Sequence, residues 1–346
     1  MTVKRSQRGF SLPEVLVTIT VVSGLAIIAY AMLDQASRVA LFNESHNDLT
    51  IMTQRAANGM QNEVFQARRA FEEDAAGQAY RAALQLPASQ PVWTDTLLPI
   101  IETDTSSILP DSGPGANRFT GNSLFIARQL EPLTINYDDD NNAATPDVQM
   151  LVDRYRFEYY FLSPVASRGF AANGFMLDLI RSASGDYADY FELSTLTPAV
   201  RRLVIPQIIN KGIAQAWDTT QPADQAFYDL DAARSGTFSI PIAKPKIGIV
   251  STATVFPGLR GGRITGKMDY SVAFVPQSPL KAFPLRFPVF NYAQPDTNRK
   301  GFPAGFEVKI VGPAKNRKVL IRTVLMAHYR STFEAEQGVV TTAARF

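Results

Sequence analysis

From Val15 to Leu33 the chain runs 19 residues without a charge. As a helix rising 1.5 Å per residue this run covers roughly 28 Å, close to the hydrocarbon thickness of a bilayer. Past Leu33 the polarity changes but helical spacing persists. Leu49, Met52, Ala56, Met60, Val64, Ala67, Phe71 and Ala75 follow at intervals of 3, 4, 4, 4, 3, 4 and 4, with Gln, Asn, Arg and Glu on the other faces. That is one apolar stripe along a half-buried helix, predicted to continue to residue 86 and to stop before Pro87. The intervals are not a sustained heptad, so the stripe is read as packing against a sheet rather than as a coiled-coil seam. Asn58-Gly59 is expected to loosen the helix locally.

From about Trp93 the period shortens. "RYRFEYYFL", Arg154 to Leu162, sets Tyr155, Phe157, Tyr159 and Phe161 against Arg154, Arg156, Glu158 and Tyr160. Alternation of this kind predicts a half-buried antiparallel strand. "SLFIARQL", "TINY", "VQMLV", "FMLDLI", "IGIVSTATVF", "DYSVAFV" and "FEVKIVG" read as further short strands, punctuated by turns such as "PDSGPGAN" and "PGLRGGRITG". "KVLIRTVLMAHY" fits a strand or a short helix. Ser182 to Pro241 is less regular and reads as helix and loop excursions inserted into the sheet.

Composition narrows the chemistry. With no cysteine among 346 residues there are no disulfides, thiolate metal sites or cysteine nucleophiles. Two histidines, His46 and His328, do not make a multi-histidine metal site. The formal charge of +2 owes much to Lys4, Arg5 and Arg8; without them 31 basic residues face 32 acidic ones. No clustered basic footprint for nucleic acid is present.

Those three basic residues also favour a cytoplasmic N-terminus for the apolar run. Glu14 is the unexpected residue, a carboxylate at the mouth of a membrane-length segment. A secretory signal peptide is one reading, since "AYA" at Ala29 to Ala31 has the form of a cleavage site, and a plain membrane anchor is another. A third accounts for the odd residues together. "RGFSLPE", Arg8 to Glu14, closely resembles the processing site of type IV prepilins and type II secretion pseudopilins. The resemblance implies cleavage between Gly9 and Phe10 by a prepilin peptidase, N-methylation of Phe10, and Glu14 as the fifth mature residue. Pro13 departs from the aliphatic residue more common there, and is tolerated in a first helical turn.

The physical reading of Glu14 follows. Cleavage creates an ammonium on Phe10, and a carboxylate that is costly alone in an apolar setting is tolerable beside it. Glu14 is expected to meet Phe10 of a neighbouring subunit and to pin the register of stacked helices.

The resemblance implies an α+β, pilin-like fold: a leader at 1–9, a transmembrane and assembly helix at 10–33, its amphipathic continuation at 34–86 and a β-rich head at 87–346. It implies a non-enzymatic subunit of a type IV pilus or type II secretion pseudopilus. That subunit sits first in the bacterial inner membrane with its N-terminus cytoplasmic, then in a periplasmic or extracellular filament. Its partners would be the peptidase, other pilin or pseudopilin subunits, the inner-membrane assembly platform and membrane lipid. The large head looks most like minor pilins of the PilW/PulJ (pseudopilin J) type, which prime assembly or cap the tip. The alternative is a single-pass anchored or secreted enzyme or binding protein with a β-rich domain.

One acidic cluster stands apart, "NYDDDNNAATPD". Asp138, Asp140 and Asn142 alternate like the first ligands of a calcium loop, but Ala143 replaces the needed Gly and Gln149 the bidentate Glu. A looser calcium cage from Asp138, Asp140, Asn142 and Asp147 is one expectation; a solvated hairpin turn is the other. "RSASGDY" lacks the nucleophile-elbow pattern, and "PGLRGG" lacks the Lys-Ser/Thr of a phosphate loop.

Overall fold

Ser11 precedes a single helix of 54 residues, α1, Leu12–Phe65. The computed structural model describes residues 11–84, 86, 88, 91–92, 96–104, 120–138, 147–165, 174–238, 254–255, 263–264, 268–271, 273–276, 306–329, 332–344 and 346. After α1 come β1 (Ala67–Ala70), α2 (Ala75–Ala82), β2 (Ile101–Glu102), β3 (Leu124–Tyr137), β4 (Val148–Val165) and β5 (Gly174–Asp189). Then follow α3 (Tyr190–Thr195), α4 (Pro198–Asn210), β6 (Gln215–Trp217), β7 (Phe227–Asp229), β8 (Thr254–Val255), β9 (Arg263–Ile264), β10 (Met268–Ser271) and β11 (Ala273–Pro276). The chain closes with β12 (Phe306–Val311), β13 (Arg317–Tyr329) and β14 (Thr332–Ala344). Residues 1–48 and 49–346 form two compact units, and α1 contributes to each.

The first unit is helix alone over its described residues. Leu12–Ala40 is long and apolar enough to cross a membrane, and none of it is buried within the protein. An i,i+4 pair, Arg38 to Asp34 at 2.5 Å, follows directly on the uncharged run.

The second unit is built on two sheets. Eight strands form one, in the order β1-β3-β4-β5-β6-β7, with β8 and β11 also on β5. Six form the other, in the order β2-β12-β13-β10-β9, with β14 along β13. Pairing is antiparallel except for β5 with β6 and β2 with β12. Ala56, Met60 and Val64 of α1 pack with Leu124, Ile126, Tyr160 and Leu162 of the first sheet and Phe306, Val308 and Ile310 of the second. Fully burying Met60 and Val64 contributes about 1.5–3 kcal/mol each.

The predicted helix to residue 86 is corrected: α1 ends at Phe65, and its stripe continues into β1. Ala67, in β1, and Phe71, just beyond it, are still buried, but not as a helix face. Their backbone is claimed by β3, Gln129 N donating to Gln66 O (3.0 Å) and Phe71 N to Phe125 O (2.9 Å). Such long-range bonds override a helical period that sequence alone extends. Within α1 the helix runs unbroken through Asn58-Gly59, with Ala57 and Met60 buried on either side.

The half-buried strand is corrected too. Phe157 to Leu162 are all buried, because α1 and the second sheet cover one face and an aromatic cluster covers the other. That cluster joins Phe71, Tyr80, Phe125, Phe157, Tyr187, Trp217 and Phe227. "SLFIARQL" and "TINY" are one strand, joined across a register shift between Leu130 and Leu133. A bulge lets a strand pass Glu131-Pro132 without ending. At the bulge Arg154 Nε donates to Glu131 O (2.8 Å), and farther along β3 Gln207 Nε2 of α4 donates to Asn136 O (2.8 Å).

The ambiguous "KVLIRTVLMAHY" is strand β13, held on one side by β14 along its whole length. β14 itself is too polar and Gly-interrupted to be recognised as a strand from pattern. The excursions after Ser182 resolve into the end of β5 followed by α3 and α4, capped by Asp189 and Thr197.

Candidate assembly site at the head of the helix

Helix α1 begins on a serine and a glutamate three residues apart. Glu14 Oε2 accepts the backbone N–H of Ser11 (3.0 Å) and the Ser11 hydroxyl (2.9 Å). Val15 N then donates to Ser11 O (3.1 Å), the first bond of the helical ladder. Ser11 is thus the cap and Glu14 the third helical residue, the pairing of a capping box in which the glutamate satisfies the cap's own N–H. Pro13, the second helical residue, has no N–H to leave unsatisfied. An acid in the first turn also complements the positive end of the helix dipole.

The hydroxyls that follow are satisfied inside the helix. Thr18 Oγ1 donates to Glu14 O (2.7 Å) and Thr20 Oγ1 to Leu16 O (2.9 Å). A polar group closed on its own helix costs little in lipid. Beside the intermolecular role expected of Glu14 stands this local one, whose signal in the sequence is Ser11 three positions upstream.

The structure treats the other sequence-predicted residues unevenly. Gly9 and Phe10 lie outside the described residues, as do Asp140 and Asn142. Asp138 and Asp147 are exposed and bracket the connection between β3 and β4, whose last pair is Tyr137 with Val148. Among the described residues no group of three or more His, Asp or Glu is arranged to hold a metal. His46 lies on α1, and His328 on β13 opposite Asp269 and Phe333. "RSASGDY" is part of β5, and "PGLRGG" lies outside the described residues.

Residues 4–30 match the family model of the prokaryotic N-terminal methylation motif. No curated protein and no solved structure matches the chain. The motif supports a type IV pilin-like protein that is processed by a peptidase, and a long apolar helix followed by antiparallel sheets is consistent with that fold.

Proposed function

We propose that the chain is a minor pilin or pseudopilin. A prepilin peptidase cuts it after Gly9 and the Phe10 amine is methylated. The apolar helix holds it in the bacterial inner membrane with its leader cytoplasmic, and the subunit then enters a filament as a structural component with no catalytic role. The observation that carries this reading is the methylation-motif match over residues 4–30, joined directly to the unburied membrane-length helix Leu12–Ala40.

Glu14 serves twice in this proposal. Its Oε2 caps the helix of its own chain, while Oε1 has no hydrogen-bond partner among the described residues. That second oxygen is the one offered to the Phe10 ammonium of a neighbouring subunit. A second unit of two sheets, eight and six strands, favours a specialised subunit that primes assembly or occupies the tip.

Intact mass and N-terminal sequencing of the protein from its own envelope test the reading. The expected product begins at N-methyl-Phe10. A product beginning at Met32 establishes a signal peptide, and an uncut Met1 beside an active peptidase leaves only an anchor; either overturns the proposal.

A further inference from the structure

Four charged side chains from four elements meet beneath the last turns of α1. Arg181 Nη2 of β5 lies 2.9 Å from Glu63 Oε1 of α1 and 2.9 Å from Glu158 Oε2 of β4. Arg128 Nη2 of β3 lies 2.8 Å from Glu158 Oε1, and its Nη1 donates to Gln66 Oε1 of the turn after α1 (3.1 Å). The Glu158 side chain is 0% exposed, whereas Arg128 and Arg181 keep 18% and 22% of theirs in contact with water. Along the sheet Arg156 and Arg154 share a separate carboxylate, Asp186, at 2.6 and 3.3 Å.

A buried carboxylate, Glu158, and a mostly covered one, Glu63, share this cluster, and their oxygens are not all served. Glu63 Oε2 is buried and accepts no hydrogen bond from a described residue, and Glu158 Oε1 has the Arg128 guanidinium beside it without a well-aligned hydrogen bond. Deprotonated, both are acceptors only and repel one another. One proton changes that, turning Glu63 into a donor with Glu158 as its acceptor and leaving a single carboxylate between two guanidiniums. The same groups set the titration of Glu63. Burial first, then the hydrogen bond and charge of Glu158, push its carboxyl up to about 8, against the opposing pull of Arg181 and Arg128.

We propose that Glu63 and Glu158 form a proton-sharing carboxyl–carboxylate pair that latches the last turns of α1 onto the first sheet, and that loss of the proton loosens the latch. A carboxyl that holds its proton more tightly folded than unfolded stabilises the fold most below the ordinary carboxylate range. That contribution declines as pH rises above about 4.5 and is lost through about 8. The inference rests on the second unit alone and stands whether or not the chain enters a filament.

Infrared spectroscopy of the full-length chain in detergent micelles reads the proton directly. With the Glu307 carboxyl removed as Glu307→Gln, a protonated carboxyl stretch at about pH 6.5, vanishing by about pH 9.5 and missing once Glu63→Gln is added, is the expected result. Absence of that band in the wild-type protein at about pH 6.5 overturns the proposal and requires no variant to fold. Hydrogen exchange reads the latch. Corrected for intrinsic rates, protection of amides from Met60 to Val64 should fall on the order of tenfold between those pH values, and should stay flat in Glu63→Gln, whose amide retains a donor. An equal fall in the two proteins overturns it as well.

Discussion

Glu14 Oε2 accepts both the backbone N–H and the hydroxyl of Ser11, so the one carboxylate at the mouth of the apolar segment is first of all a helix cap. It does not stand unsatisfied until a neighbour arrives. Capping and charge are therefore separable properties of this side chain, and substitutions can divide them.

Glu14→Gln keeps an oxygen that Ser11 can bond but removes the charge. It should leave the helix start and membrane insertion intact while lowering incorporation into filaments; Glu14→Val should lower incorporation too, but removes the cap as well. Co-sedimentation of tagged subunits with sheared filaments measures this. Normal incorporation of the glutamine variant would reduce Glu14 to its cap.

Ser11→Ala removes the hydroxyl and keeps the backbone N–H for Glu14. Amide exchange near the start of α1 in micelles should rise several-fold, with the rest of the helix unaffected, because capping acts within the first turn. Peptide-level exchange across residues 11–20 reports it.

Phe157 sits at the centre of the aromatic cluster, within about 6 Å ring-to-ring of Phe71, Phe125, Tyr187, Trp217 and Phe227. Its relative exposure is 2%, so Phe157→Ala leaves a cavity that the surrounding rings fill poorly. The expected loss is about 3–5 kcal/mol, against less than about 1.5 kcal/mol for Phe157→Leu. Urea unfolding followed through tryptophan fluorescence separates the two.

Asp189 joins two tasks at the point where β5 becomes α3. It accepts the Tyr155 hydroxyl (3.0 Å) and, through its other oxygen, the Glu192 N–H as the α3 cap (3.0 Å). Asp189→Ala removes both and strands a buried phenol, at a cost of about 2 kcal/mol or more. Asp189→Asn keeps an acceptor for the cap and should cost less than half as much. Thermal melts of the three proteins rank them.

Glu307 and Arg322 face one another across β12 and β13, both nearly sealed from water. Burial raises the Glu307 carboxyl to about 7 despite the attraction of Arg322. A raised carboxyl stabilises most below the ordinary range, so its contribution declines with rising pH and is gone above about 7. Glu307→Gln should flatten that part of the stability profile between about pH 5 and about pH 8. Arg322→Ala leaves a carboxyl buried without its partner and should destabilise by about 3–5 kcal/mol. Melting temperature against pH for the wild type and both variants is the measurement.

Local features were legible in the residues themselves. The uncharged run from Val15, the serine and glutamate three apart, the prepilin-like "RGFSLPE" and the alternation of Arg154 to Leu162 each act over a few residues, where period and hydrogen-bond reach are set by the backbone. Tertiary contact decided the rest. The apolar stripe of α1 runs on past Phe65 in sequence, yet β3 claims the backbone there and makes it strand. Glu158 reads as the solvent side of a half-buried strand until α1 closes over it. Then a surface charge becomes the buried partner of Glu63, Arg128 and Arg181, residues up to 118 positions apart. Burial and charge pairing are properties of what the folded chain brings near, and no window of neighbouring residues contains them.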